Sequence, residues 1–75
     1  MKSLNQLTVG DEAVVTEILC ENRRLKDLGL IEGTTVRCIL KSPLGDPAAY
    51  RIRGAVIAIR KEDALKIEVE VKEDE

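Results

Sequence analysis

The side chains able to do chemistry in this chain are two cysteines, Cys20 and Cys38, the arginines Arg51 and Arg53, and carboxylates gathered in Glu62-Asp63 and Glu73-Asp74-Glu75; there is no histidine. Catalysis needs an activated nucleophile or a placed acid and base. Hydroxyls are few and the carboxylates fall mostly on polar strand faces or in the tail, so the chain reads as a non-enzyme. The cysteines lack Cys-x-x-Cys spacing, and without imidazole no structural zinc ligand set exists. They read as small core hydrophobes, with a cross-strand disulfide or a redox role as the alternative. The acidic clusters would hold hard cations only weakly, and no imidazole is present for softer ones. No metal site and no cofactor are therefore assigned. No glycine-rich phosphate loop joins a strand to a helix, so nucleotide binding by the chain itself is not expected. Arg51 and Arg53 are left, two residues apart and so on one strand face. They read as a solvated face balanced by nearby glutamates, or as a contact for a partner's acidic groups or for a nucleotide phosphate in trans.

Twelve basic against fourteen acidic residues give a net charge of −2, which offers no general attraction to nucleic acid or anionic lipid. The start lacks a signal-peptide pattern, and no apolar run nears the roughly 20 residues of a membrane span. A cytoplasmic location without membrane insertion is expected. The 75 residues make one domain, 1–75, of a size that buries only roughly 60% of its unfolded surface. With one tyrosine and neither tryptophan nor phenylalanine, aliphatic side chains must form the core. An aromatic groove for polyproline ligands cannot be built.

The elements that must position these residues follow from periodicity and turn signals. Ser3 and Gln6 have capping-box spacing for one helical turn at the start. Glu12 to Leu19 is a β-branched run of strand length. Asn22 caps a short helix from Arg23 to Leu28, with Gly29 in the left-handed position after it and Leu30 packing back on Leu25, a Schellman ending. Thr34 to Lys41 forms a second strand, with Val36, Cys38 and Leu40 on one face. Pro43 and Pro47 bracket a loop, and Ala49 to Arg53 alternates, Tyr50 and Ile52 opposing Arg51 and Arg53. Gly54 permits a reversal into Ala55–Ile59, the most uniformly apolar strand and so expected at the centre of the sheet. Lys61 to Leu65 forms a helical turn with Asp63 as a cap. Ile67, Val69 and Val71 then alternate with charged residues, and 73–75 form an acidic, frayed tail. A mainly β, five-stranded, partly open antiparallel barrel satisfies this order, because closure hides edges that a small domain cannot otherwise cover.

In this order and spacing, Leu25, Leu28-Gly29-Leu30, Gly33-Thr34, Val36, Gly45-Asp46-Pro47, Tyr50, Arg53-Gly54, Ile57-Ala58-Ile59-Arg60, Ala64 and Ile67 resemble the FeoA family of bacterial ferrous iron transport. The likeness runs from Leu4 to Val71. Glu32 stands where many members carry proline, and either residue suits that turn position. The resemblance implies an SH3-like barrel and a small accessory protein that binds and modulates FeoB, the ferrous iron permease with its own G-protein domain. An association with transition metal follows from the family alone. The alternative is a regulatory domain acting on a metal-dependent DNA-binding repressor, since FeoA-like domains also end such repressors. No helix-turn-helix precedes the domain here, so a stand-alone monomer is expected. Candidate partner contacts are Leu25, Leu28, Leu30, Pro43, Tyr50, Arg51 and Arg53, although core packing alone would account for Leu25 and Leu30.

Overall fold

Residues 2–72 are described by the structure, a computed structural model. Along the chain run β1 (Lys2–Ser3), a 3-10 turn (Leu4–Gln6), β2 (Glu12–Ile18), α1 (Arg23–Asp27), β3 (Thr35–Lys41), β4 (Ala48–Ile52), β5 (Ala55–Ile59), α2 (Lys61–Ala64) and β6 (Ile67–Val71). They form one antiparallel sheet in the order β1-β6-β2-β3-β4-β5. Short loops explain most neighbours, since consecutive antiparallel strands pair when the connection is tight. The register slips between Val15 and Glu17 on β2 and between Cys38 and Leu40 on β3. Such bulges bend a strand and raise its twist, which curls a sheet around its own inner face.

That inner face is the core. Ala13 and Val15 of β2, Val36 and Cys38 of β3, Tyr50 and Ile52 of β4, Ile59 of β5, and Ile67 and Val69 of β6 are all buried. The 3-10 turn closes the core with Leu4, followed by Leu7, both fully buried. Its start is held as the capping-box spacing predicts: the Ser3 N–H donates to Gln6 Oε1 at 2.9 Å. The Tyr50 hydroxyl donates to the Leu4 carbonyl at 3.4 Å inside the core. This single large aromatic thus links the turn to β4.

Four expectations need correction. Leu40 does not share the inner face with Val36 and Cys38: the register slip after Cys38 turns it outward, 63% exposed. The sheet has a sixth strand: β1 pairs Lys2 with Val69 and Ser3 with Glu68, and two residues carry too little pattern to be read as a strand. Among the described residues, β5 is an edge strand bonded only to β4. Its apolar run misleads because Ala55, Val56 and Ala58 are exposed while only Ile57 and Ile59 face inward. Asp63 lies inside α2 and does not cap it; the Lys61 N–H is satisfied by Asp46 Oδ1 of the Pro43–Pro47 loop at 2.9 Å. A cap supplied from 15 residues away leaves no local sequence signature. The acidic tail lies outside the described residues.

Candidate partner-binding surface

Helix α1 is built to stop at one point. Asn22 Oδ1 accepts the Arg24 N–H at 3.1 Å to start it. At the other end the Gly29 N–H reaches the Lys26 carbonyl and the Leu30 N–H reaches the Leu25 carbonyl, both at 3.0 Å. These are the paired bonds of a Schellman motif, and Leu25 and Leu30 are buried together as its apolar contact. Gly29 has φ 101°, a conformation that costs a side chain about 1–2 kcal/mol. A Cβ there would also stand 2.6 Å from Arg53 Cδ, so the Arg53 side chain lies across the bare glycine.

Arg53 arrives there through its own turn. With φ 49° at Arg53 and 81° at Gly54, the two residues joining β4 to β5 have the left-handed pair of a type I′ hairpin. A buried Thr34 ties the neighbouring loop down: its hydroxyl donates to the Gly29 carbonyl and accepts the Ile31 N–H, both at 3.2 Å. Leu28 and Ile31, 40% and 41% exposed, flank in sequence the Gly29-Leu30 turn, and it is over Gly29 that the Arg53 side chain lies.

The other candidates do not all join them. Leu25 and Leu30 are core residues at 4% and 1% exposure, and Tyr50 is wholly buried. Tyr50 points inward because it opposes Cys38 across the β3–β4 ladder, and it has no surface to offer a partner. Burial first, then the neighbouring Cys38, pushes its hydroxyl pKa up to about 12. Burial also pushes the Cys38 thiol up, with Asp11 adding to the shift and Lys41 opposing it. Both cysteines are free, Cys38 buried and Cys20 half-buried against the core. Pro43 lies at the far end of the β3–β4 pair from Arg53, since Lys41 faces Ala48 there and Val36 faces Ile52 here. Four strand steps separate the two ends by roughly 13 Å.

Features not anticipated from sequence include Leu44, 95% exposed between the two prolines, and Arg37, directly across from Arg51. A large apolar residue in an otherwise polar loop could have drawn attention to Leu44; the Arg37–Arg51 opposition required the register. A cleft of about 790 Å³ opens between α1 and the end of β2, lined by Ile18, Cys20, Leu25 and Leu30 with Glu21 and Lys26 beside them. Among the described residues no three His, Cys, Asp or Glu side chains converge as metal ligands. No helix there is long and apolar enough to cross a membrane.

The family profile of the FeoA domain matches residues 2–71. The chain belongs to the FeoA family. An Fe(2+) transport protein A/Fe(2+) transporter FeoB fusion protein of Porphyromonas gingivalis is 37% identical over 71 residues, which is 91% of this chain but 8% of that protein's length. The solution structure of FeoA from Chlorobium tepidum superposes with a TM-score of 0.89 at 36% identity, over 97% of this chain and 73% of that one. FeoA of Stenotrophomonas maltophilia, described as a prokaryotic SH3 domain protein and solved with zinc, gives a TM-score of 0.78 at 30% identity, over 93% and 91% of the two chains. The FeoA sheet seen here is thus the small SH3-like fold, and the family is one of ferrous iron transport.

Proposed function

We propose that this chain is a cytoplasmic, non-enzymatic accessory of ferrous iron transport that docks as a monomer on the cytoplasmic part of a FeoB-type permease and modulates its assembly or GTP-driven gating. The observation that carries this reading is the Porphyromonas gingivalis fusion, in which a FeoA segment and FeoB share one polypeptide. Fusing two modules holds each at high effective concentration near the other, an arrangement that serves parts acting together. The proposed docking face is the turn at Gly29, over which the Arg53 side chain lies, with the exposed Leu28 and Ile31 on either side of that turn in sequence and the exposed Arg51 on β4. Arginine is among the residue types enriched at the energetic centres of interfaces, and exposed aliphatics nearby add apolar contact area. Pro43 and Leu44 form a second contact at the opposite end of β4.

The test is NMR titration of labelled protein with the soluble cytoplasmic domain of the cognate permease, with and without a GTP analogue. Shifts are expected to centre on 28–31 and 51–54, and Leu28→Asp and Arg53→Glu should each weaken binding about tenfold, some 1.4 kcal/mol. Absence of shifts under both nucleotide conditions would overturn the reading.

A further inference from the structure

Among the described residues, β5 is an apolar sheet edge left open. Its sequence, Ala55-Val56-Ile57-Ala58-Ile59, has no charge and no proline, and its register with β4 runs without a bulge from Ile52–Ala55 to Ala48–Ile59. Edges of this kind are normally blunted by one of those devices. The opposite edge, β1, is only two residues long. A two-residue hairpin makes Ile52 and Ala55 a hydrogen-bonded pair, and strict alternation gives the same status to Tyr50–Ile57 and Ala48–Ile59. The N–H and C=O groups of Val56 and Ala58 consequently point away from β4, into the open. The end of this edge forms one wall of a groove of about 350 Å³, bounded opposite by Asn22, Arg24 and Leu25.

Charge around the edge has a sign. Arg51 faces Val56 across the β4–β5 ladder, and its other neighbour is Arg37. Like charges directly opposed on a sheet are unfavourable. Arg53 lies in the turn before the edge, Arg24 lines the groove, and none of Arg24, Arg37, Arg51 or Arg53 makes an ion pair among the described residues. The carboxylates at the groove, Glu62 and Asp63, are engaged with Arg60 at 3.7 Å and with Asn22 at 3.1 Å. A second copy is a poor occupant, because antiparallel pairing centred on Ile57 would set Arg53 and Arg60 of one copy near Arg60 and Arg53 of the other.

The geometry points to β5 as a docking edge for an extended, acidic strand of a partner protein, added antiparallel to the sheet by backbone hydrogen bonds to Val56 and Ala58. A residue opposite Val56 on the added strand lies two strand spacings, roughly 9.6 Å, from the Arg51 Cα. A glutamate there is within reach of the arginine side chain, while alternate apolar residues continue the inner face beside Ile57. The assignment is independent of which protein carries the strand.

The probe is a blocked eight-residue peptide alternating valine and glutamate, titrated into the labelled full chain. Three results are expected: shifts and slowed exchange at the Val56 and Ala58 amides, no binding by the same peptide with alternate nitrogens methylated, and a threefold to fivefold loss of affinity in Arg51→Glu, about what exposed ion pairs give. The Arg51→Glu protein should in turn prefer a valine–lysine peptide. Silence at 55–59 up to millimolar peptide, equal binding of the methylated peptide, or protection of β5 amides that rises with protein concentration alone would each overturn the assignment. Permease binding confined to 28–31 and 51–54, with no response of β5 to the peptide, would leave the proposed function standing and remove this inference. Peptide pairing without permease binding would do the reverse.

Discussion

Gly29 and Arg53 are coupled across 24 residues of sequence, and the coupling can be divided. Gly29→Ala forces a side chain into φ 101° and drives a Cβ to 2.6 Å from Arg53 Cδ. The first effect costs about 1–2 kcal/mol wherever Arg53 goes. The second disappears once Arg53 is truncated. Urea unfolding of Gly29→Ala, Arg53→Ala and the double variant should therefore show the glycine substitution costing less in the Arg53→Ala background, by about 0.5 kcal/mol or more. Tyr50 provides a second measurement at this scale. Its pKa is raised to about 12 in the folded chain against about 10 unfolded, so between those pH values the unfolded state loses the proton and the native state keeps it. This group's contribution is intact below pH 10, falls by roughly 1.4 kcal/mol per pH unit between about 10 and 12, and levels off above that. Tyr50→Phe should abolish that component. Because the chain has one tyrosine, an absorbance titration reads the group directly, and an apparent value near 10 in the native protein would contradict the burial argument.

At the scale of elements, α1 shows where local sequence suffices and β5 where it does not. The cap at Asn22, the stop at Gly29 and the Leu25–Leu30 contact are decided within nine residues, and all were readable because each has a preferred residue type. Asn22 does more than its local role suggests: Nδ2 donates to Asp63 Oδ2 at 3.1 Å, linking α1 to α2. Asn22→Ala should cost about 1 kcal/mol, read as a lowered urea midpoint with an unchanged slope. Asp63→Ala should reproduce only part of the loss. The position of β5 was misread because hydrophobicity reports burial on average, whereas its exposed alanines and valine are small enough to sit on either face. Which strand is at an edge is decided by pairing partners far along the chain. The same non-local cause explains why Asp46, and not Asp63, supports the start of α2.

The barrel class and the run of its main elements are legible because turn residues and alternation agree from Leu4 to Val71, and a small aliphatic core has few other ways to close; the sixth strand and the strand order are not. Which candidates share a region of the molecule was legible only in part. Arg53 reaches Gly29, next in sequence to Leu28, whereas Tyr50 is drawn inward by the parity of β4 and Pro43 is carried to the other end of the sheet. A loop's position relative to another loop depends on strand register, which residue types alone do not report.

Pairing of Lys2 with Val69 and of Ser3 with Glu68 places residue 2 within two strand steps of residue 71. Among the described residues the sheet order thus begins with β1 lying against β6, so the backbone of residues 2–71 is nearly a ring in space although it is linear in covalent terms. A variant in which a short glycine-rich linker joins residues 71 and 2 and new termini are cut at the exposed Leu44 keeps every strand pairing except those at the cut loop. It should retain native-like dispersion of its amide spectrum, with lost stability confined to the loop that supports α2.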